Sequence, residues 1–434
     1  MTFPSLFRSH TNRNIKLGFV EVADQADPHS SVYSTIFQIQ DITFSYREVF
    51  VHFDLEGRLL NIELRKIGAF PIKLLERTFQ GFFNIYEDNC LNLDPKIEEA
   101  NYYYDYYQEN ISSNEFLSQT LVKQVMHFIE ELLINNTPHT FLEKILIQYS
   151  WEGLNQDKAK FYNVYPTPIT VLPPETRPDI NPLFAVLQIT QGCWTHACER
   201  GPCAFCASFR GTTYREKDLP EIKRHIQDVQ NFVGAQRKNI RKIFLSDADP
   251  LLSKQSPFET LQVVKKQWPE ITSFEAFISS SAILSKTVME WKTLKSLGIS
   301  KLYWGVESAD DAVLKILNKP QTRAALYKAA KRLDDAGIDY VVIVMSGIGR
   351  LVNKNSMDHI THTSDFVSKI GSSYVDISKF VPLHGTEIYR LIENDQLRRL
   401  SYDEIEEEHR ILIENIIKKR PLCKITGAYG RQFI

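Results

Sequence analysis

The chain lacks any apolar run approaching the roughly 18 residues that a membrane-spanning helix needs, so no spanning helix is expected. Its start, Met1-Thr2-Phe3-Pro4-Ser5-Leu6-Phe7-Arg8, has no long apolar core of the signal-peptide kind. It also lacks an excess of either charge. Lys and Arg number 51 against 53 Asp and Glu, a formal net charge of −2 over 434 residues. That balance gives no electrostatic case for nucleic acid or an anionic membrane surface. Cysteine is scarce, at six residues, and nothing suggests export. A disulfide framework is therefore disfavoured and a reducing cytoplasmic setting expected.

The scarce cysteines are not scattered. Cys193, Cys198, Cys203 and Cys206 fall within fourteen residues. The apolar run Phe184–Ile189 leads into them and reads as a buried strand. Gly192, Gly201 and Pro202 then break regular structure, which puts the thiols on a loop leaving a strand end. Thiols so crowded suit a disulfide pair, a zinc site or an iron–sulfur cluster. Zinc sites usually show two paired knuckles, and only Cys203 and Cys206 have that spacing here. Cys193 and Cys198 would complete a four-cysteine zinc site, with His196 as a spare ligand. A cluster held by closely spaced thiolates fits a single loop better.

Thr190-x-Gly192-Cys193 after a strand, followed by Cys203-x-Phe205-Cys206, resembles the cluster loop of the radical S-adenosylmethionine (SAM) superfamily. The usual loop there is Cys-x₃-Cys-x₂-Cys. Here Cys193 as first ligand gives Cys-x₉-Cys-x₂-Cys, and Cys198 gives Cys-x₄-Cys-x₂-Cys. The context after the strand favours Cys193, with Cys198 as the alternative first ligand. The resemblance implies that Cys193, Cys203 and Cys206 hold a [4Fe–4S] cluster whose fourth iron is left to SAM. It also implies that Phe205 packs near the adenine; the alternative reading is an apolar anchor for the loop. Outside the loop only Cys90 and Cys423 remain, which points to one cluster per chain. Cys423 reads as a buried small side chain, with a rarer reading in which the tail folds over the barrel mouth.

Residues 1–165 read as a separate α+β accessory or recognition domain. Ser34–Gln40, Thr43–Phe53 and Leu59–Leu64 alternate in part like strands, with Gly57 in a hairpin turn. Pro71–Ile85 and Glu115–Asn135 read as helices. The tyrosine-rich run Asn101–Tyr107 reads as an aromatic packing edge. A stiff proline-rich linker spans 166–182. It contains Leu172-Pro-Pro-x-x-Arg-Pro, which resembles an uncharacterised branch of the same superfamily.

From 183 to 395 the pattern alternates. Strand-like runs are Phe184–Ile189, Lys242–Leu245, Phe274–Ser279, Lys301–Val306, Tyr340–Met345 and Val375–Val381. Helix-like segments lie between them: Leu219–Val233, Pro257–Gln267, Lys286–Leu297, Ala309–Leu317 with Ala324–Ala336, and His359–Ile370. Six strand-then-helix units argue an α/β fold with a parallel sheet and outer helices. The resemblance makes that sheet a partial (β/α)₆ TIM-like barrel. Residues 396–434 add a C-terminal helix, Ser401–Lys418, and a tail.

In such barrels the chemistry collects at the carboxyl ends of the strands. There the resemblance implies SAM contacts from Ser246, Asp247 and Asp249, although an Asp-rich turn capping a helix explains the same residues. After the third strand Ser279-Ser280-Ser281 offers hydroxyls suited to a carboxylate or ribose, although serines are common in loops. Gly305-Val306-Glu307-Ser308 matches the family, which implies that Glu307 contacts the ribose with Ser308 beside it; a strand-end cap is the alternative. Gly347 and Gly349 admit close backbone approach to the adenine. Arg350 departs from the small residue common there, and reads as an anion contact or as solvent-facing. Asp376, Ser378, Lys379 and the stretch to Thr386 fall on the substrate side. His359 and His362, three apart, read as helix-surface residues rather than metal ligands.

The function implied is reductive cleavage of SAM to methionine and a 5′-deoxyadenosyl radical, which takes hydrogen from a small-molecule or short-peptide substrate. An external electron donor such as flavodoxin or ferredoxin is implied; nucleic acid and membrane partners are not. Two alternatives stay open: SAM cleavage with 3-amino-3-carboxypropyl transfer, and a zinc-stapled SAM-binding or other binding module without turnover.

Overall fold

The computed structural model describes residues 183–426 apart from 210–211, 253–256, 381 and 384, together with Val164 and seven strands between Phe7 and Glu87. The chain divides into two units. One comprises Met1–Pro166, Asp179–Pro182 and Gln230–Asn239; the other comprises Thr167–Pro178, Leu183–Val229 and Ile240–Ile434.

Between Phe7 and Glu87 the first unit holds a seven-stranded antiparallel sheet in sequential order. Its strands are β1 (Phe7–Arg8), β2 (Asn14–Asp24), β3 (Asp27–Gln40), β4 (Glu48–Phe53), β5 (Leu59–Arg65), β6 (Pro71–Arg77) and β7 (Phe83–Glu87). β4 and β5 form the hairpin that Gly57 marks, with Val51 opposite Ile62. The segment Pro71–Ile85 is not a helix: β6 and β7 pair antiparallel, with Leu75 opposite Ile85. A short apolar run does not by itself distinguish strand from helix, and Gly81, between the two strands in sequence, weakens a helix. The expected helix at Glu115–Asn135, the Asn101–Tyr107 run, Cys90 and the linker lie outside the described residues.

The second unit is an α/β arrangement, a seven-stranded parallel sheet with helices. Its strands are β8 (Phe184–Gln188), β11 (Lys242–Ser246), β12 (Ser273–Ile278), β13 (Ile299–Glu307), β14 (Asp339–Ser346), β15 (Tyr374–Lys379) and β16 (Ile425–Thr426), side by side in chain order. Every neighbouring pair is parallel. Near-continuous burial along β8 and β11 is what a sheet covered on both faces requires. The helices are α1 (Leu219–Val233), α2 (Pro257–Gln267), α3 (Ser280–Leu284), α4 (Val288–Ser296), α5 (Asp311–Ile316), α6 (Arg323–Ala336), α7 (Met357–Ser368), α8 (Glu387–Glu393) and α9 (Tyr402–Lys419). Thr287 and Ser401 open α4 and α9 with capping boxes to Glu290 and Glu404. Trp304 packs edge-on against Tyr340 and Phe366, filling the space between sheet and outer helices.

One strand beyond the six expected comes from the tail. β16 pairs with β15 at Val375 and Asp376, near the amino end of that strand. Cys423 lies two residues before it and therefore sits at the opposite end of the sheet from the cysteine loop. The reading that brought this thiol over the barrel mouth is thereby corrected.

Candidate functional site

The cysteine loop leaves and re-enters the sheet through a short ribbon. β9 (Thr190–Gln191) pairs antiparallel with β10 (Arg215–Glu216), continuing from the carboxyl end of β8. Asp247, just past β11, ties the root of the loop. One carboxylate oxygen accepts from Gln188 Nε2 at 2.9 Å and the other from Gly192 N at 2.8 Å. Both oxygens of this expected SAM contact thus serve the loop itself. Asp249 ties the next residues. It accepts from Trp194 Nε1 at 2.9 Å, from Ser279 N at 2.8 Å and from the Ser279 hydroxyl. Burial pushes its carboxyl up, and the hydrogen bonds from Ser279 and Trp194 oppose that shift.

All four loop thiols are half-buried. Cys193 Sγ lies 3.1 Å from Thr195 Oγ1, and Cys198 Sγ donates to Thr195 O at 3.1 Å. Burial raises the Cys193 thiol above its ordinary value, with Cys206 among the neighbouring charges that add to the rise. Burial pushes Cys203 up to about 11; the Lys319 cation opposes this, while Cys206, Cys193 and Glu307 reinforce it. Cys193, Cys203 and Cys206 therefore stand within electrostatic range of one another. Among the described residues, no three His, Cys, Asp or Glu side chains gather as ligands of a single ion.

The segment between Cys203 and Cys206 is clamped from two sides. Ala204 N donates to Leu317 O at 2.8 Å, and Ala204 O accepts from Ile388 N at 3.0 Å. Asn318, with a left-handed φ of 50°, donates through Nδ2 to Arg200 O and Pro202 O, each at 2.9 Å. Arg200 Nε returns a bond to Asn318 Oδ1 at 2.8 Å. Phe205 packs against the apolar cluster of Met345, Ile348, Leu351 and Phe380. The Lys319 ammonium stands 5.6 Å from its ring centroid.

Lys319 also pairs with Glu307, Nζ to Oε1 at 2.9 Å. Burial alone would lower this ammonium, but the Glu307 carboxylate together with Cys203 and Cys206 outweighs burial and holds it above the usual lysine value. Glu307 ends β13 with a φ of 63°, and the register against β14 shifts between Gly305 and Glu307. A bulge of this kind re-aims a side chain at a strand end. Gly305 makes room for the pair: a Cβ there would come within 2.9 Å of Glu307 Oε1 and 3.2 Å of Lys319 Nζ.

The remaining expected contacts divide. The Ser246 hydroxyl is buried at the end of β11 and has no hydrogen-bond partner among the described residues. Ser280 is committed inward, accepting from Trp304 Nε1 at 3.1 Å and donating to Gln321 Oε1 at 2.5 Å. Ser308 is fully buried against His359, Oγ to Nδ1 at 2.8 Å, and accepts from Asp310 N at 2.9 Å. The amides of Gly347 and Gly349 donate to Glu408 of α9. Arg350 neither meets a free anion nor faces solvent: its guanidinium lies 2.5 Å from Glu407 and 3.9 Å from Glu404. On the substrate side, Lys379 pairs with Glu406, and Asp376 accepts from Thr426 Oγ1 at 3.2 Å.

His359 corrects the surface reading, since it is interior, whereas His362 is half-buried against Asp310 at 2.7 Å. Ser308, His359 and Glu408 line up like a hydrolase triad, but all three are buried. Glu408 went unnoticed in the sequence. Its signal was legible: Ile405, Glu408, Leu412 and Ile416 share one helical stripe, and a carboxylate there interrupts an apolar face.

The Radical SAM superfamily model matches residues 188–360. No curated protein matches the sequence. Among solved structures the chain is similar to coproporphyrinogen III oxidase (HemN) from Escherichia coli, a radical SAM enzyme, at 11% identity over 62% of this chain and 56% of that one, with a TM-score of 0.42. It is similar to HydG, a maturase of the [FeFe]-hydrogenase, at 14% identity over 71% and 63%, TM-score 0.35. It is also similar to OxsB, a cobalamin-dependent SAM radical enzyme, at 16% identity over 51% and 30%, TM-score 0.33. The chain spans less than two thirds of the length of each of these three.

Proposed function

We propose, for a chain that carries a radical SAM superfamily domain, that Cys193, Cys203 and Cys206 hold a [4Fe–4S] cluster and that the protein cleaves SAM reductively. The cofactors of such a domain are that cluster and SAM, which together supply the one-electron chemistry. One electron from a flavodoxin- or ferredoxin-type donor breaks a carbon–sulfur bond of SAM. The products are methionine and a 5′-deoxyadenosyl radical, which takes a hydrogen atom from a small molecule or short peptide.

The observation that carries the ligand set is the placement of the half-buried Cys193, Cys203 and Cys206 on one loop at the carboxyl end of β8, with the segment between the last two clamped through Ala204 by Leu317 and Ile388. Cys198 and Cys193 each stand 3.1 Å from an oxygen of Thr195, so the preference for Cys193 rests on its position directly after the strand and Gly192. Burial favours the protonated thiols of Cys193 and Cys203, so loading the site releases protons, and the Lys319 cation favours the thiolate at Cys203. The unpartnered Ser246 hydroxyl offers a polar contact at the strand end where SAM is expected. Glu307, re-aimed by the bulge and oriented by Lys319, offers a carboxylate for ribose hydroxyls. Asp247 and Asp249 orient the loop.

The test is anaerobic reconstitution with iron and sulfide, then incubation with SAM and dithionite and identification of the nucleoside by mass spectrometry. 5′-Deoxyadenosine is expected. Methylthioadenosine would transfer the protein to aminocarboxypropyl chemistry, and bound zinc without cleavage would overturn the reading. In parallel, Cys203→Ala should abolish the iron and sulfide content and Cys198→Ala should preserve it. A cluster-free Cys198→Ala protein would move the first ligand to Cys198.

A further inference from the structure

The C-terminal helix carries an acidic side chain to a place no solvent reaches. Glu408 is fully buried in α9. Its Oε1 accepts from Gly347 N at 2.6 Å and from Gly349 N at 3.2 Å, and its Oε2 accepts from Arg350 N at 3.1 Å. His359 Nε2 stands 3.5 Å from Oε1. Burial lowers that imidazole's pKa, so it meets the carboxylate as a neutral ring. The turn seated on Glu408 has no slack. A Cβ on Gly347 would come within 3.0 Å of Ile405 on α9, and one on Gly349 within 2.7 Å of His359 Cβ on α7.

This turn follows the carboxyl end of β14, level with the other strand ends of the site. Ile348 and Leu351, which it carries, share one apolar cluster with Ala204, and Phe205 packs against the same cluster. Ala204 and Phe205 lie between Cys203 and Cys206. A continuous packed path therefore runs from the Glu408 carboxylate through the turn to the segment that bears two thiols.

We propose that Glu408 is a positioning residue of the cofactor site: it fixes the Gly347–Arg350 turn, and the turn seats the Ala204–Phe205 segment and the SAM pocket beside it. The inference rests on the cofactor reading above. A carboxylate is a costly way to fill an apolar stripe, because its desolvation must be offset by well-placed donors. Three backbone amides converge on it, which a residue serving as packing alone does not require.

The test uses Glu408→Gln, which keeps the shape and turns one acceptor into a donor facing backbone N–H groups. Glu414→Gln, on the exposed face of α9, is the control. Backbone hydrogen exchange is read in the cluster-free chain. In reconstituted protein, SAM is titrated against the electron paramagnetic resonance signal of the reduced cluster, and KM for SAM is compared with kcat. The expected result is faster exchange at Gly347, Gly349 and Arg350, with half-saturating SAM raised about tenfold or more, the order seen when a supporting partner of a ligand site is lost. KM should move more than kcat, and the SAM-induced spectral shift should change. Faster exchange with a wild-type SAM titration and spectrum would overturn the inference. If Glu408→Gln does not fold, Ile405→Ala removes the side chain over Gly347 without leaving a polar group unpaired, and a wild-type SAM response there overturns it equally. A wild-type chain that takes up no cluster or cleaves no SAM sinks the cofactor reading and this inference together; a working wild type indistinguishable from both variants sinks the inference alone.

Discussion

At the residue scale the Glu307–Lys319 pair holds two roles that substitution separates. Both side chains are largely buried, at 10% and 14% exposure, so each charge depends on the other for compensation. Breaking such a pair from one side leaves an unpaired buried charge, which costs about 3–5 kcal/mol, whereas replacing both partners is often nearly neutral. Glu307→Gln should therefore destabilise the unit strongly, and the double variant Glu307→Gln with Lys319→Met should recover most of that loss. If Glu307 also grips the ribose, the recovered double variant should still bind SAM at least about tenfold more weakly, as loss of a charge-assisted contact implies. Denaturant melts read the first effect and SAM titration of the reconstituted protein reads the second. A double variant that regains stability and SAM affinity together would leave Glu307 as a strut for Lys319 only.

At the element scale the long cysteine loop is held from outside itself. A loop of the length between Cys193 and Cys203 cannot be fixed by its own short 3-10 turn, Trp194–Ala197. Asn318 supplies the strap through three hydrogen bonds with Arg200 and Pro202, and its left-handed backbone suits asparagine better than most residues. Asn318→Ala should lower stability by about 1–2 kcal/mol, because these bonds are exposed and each is worth little net. It should also speed loss of iron and sulfide on dilution while leaving initial loading intact. Unchanged cluster lifetime would mean that the clamp at Ala204 suffices. Alternation of apolar runs made the six strands and their helices legible, because buried parallel strands and amphipathic helices differ in period. β16 was illegible, since a two-residue edge strand has no period to read. The β6–β7 hairpin was misread because Ile72, Leu74 and Leu75 satisfy both templates. The cysteine motif exposed the thiols directly. The inward commitments of Asp247, Ser280 and Ser308 were hidden, because a strand-end polar residue looks the same in sequence whether it faces ligand or core.

At the scale of the barrel unit as a whole, acid sensitivity is built into three buried histidines. Burial holds His225, His359 and His409 below the ordinary histidine range, with His225 at about 3. His225 accepts the Gln188 amide at 3.0 Å through Nε2, which needs that nitrogen unprotonated. In the unfolded chain the same ring titrates near its usual value of roughly 6.5. Between that value and about 3 the unfolded state holds a proton that the folded state refuses. Stability therefore falls as pH drops from about 6.5, by up to about 1.4 kcal/mol per pH unit for His225 alone. Trp268, Trp291 and Trp304 are fully buried in this unit, so their fluorescence follows its unfolding in denaturant. Midpoints measured from pH 7 down to pH 5 should decline steadily. His225→Gln keeps an acceptor for the Gln188 amide without a titrating ring, so it should flatten the decline while costing little at pH 7. A His225→Gln protein with the wild-type slope would place the acid sensitivity in His359 and His409. Both of those flank the turn that Glu408 holds, so acid would then loosen that turn before the root of the cysteine loop.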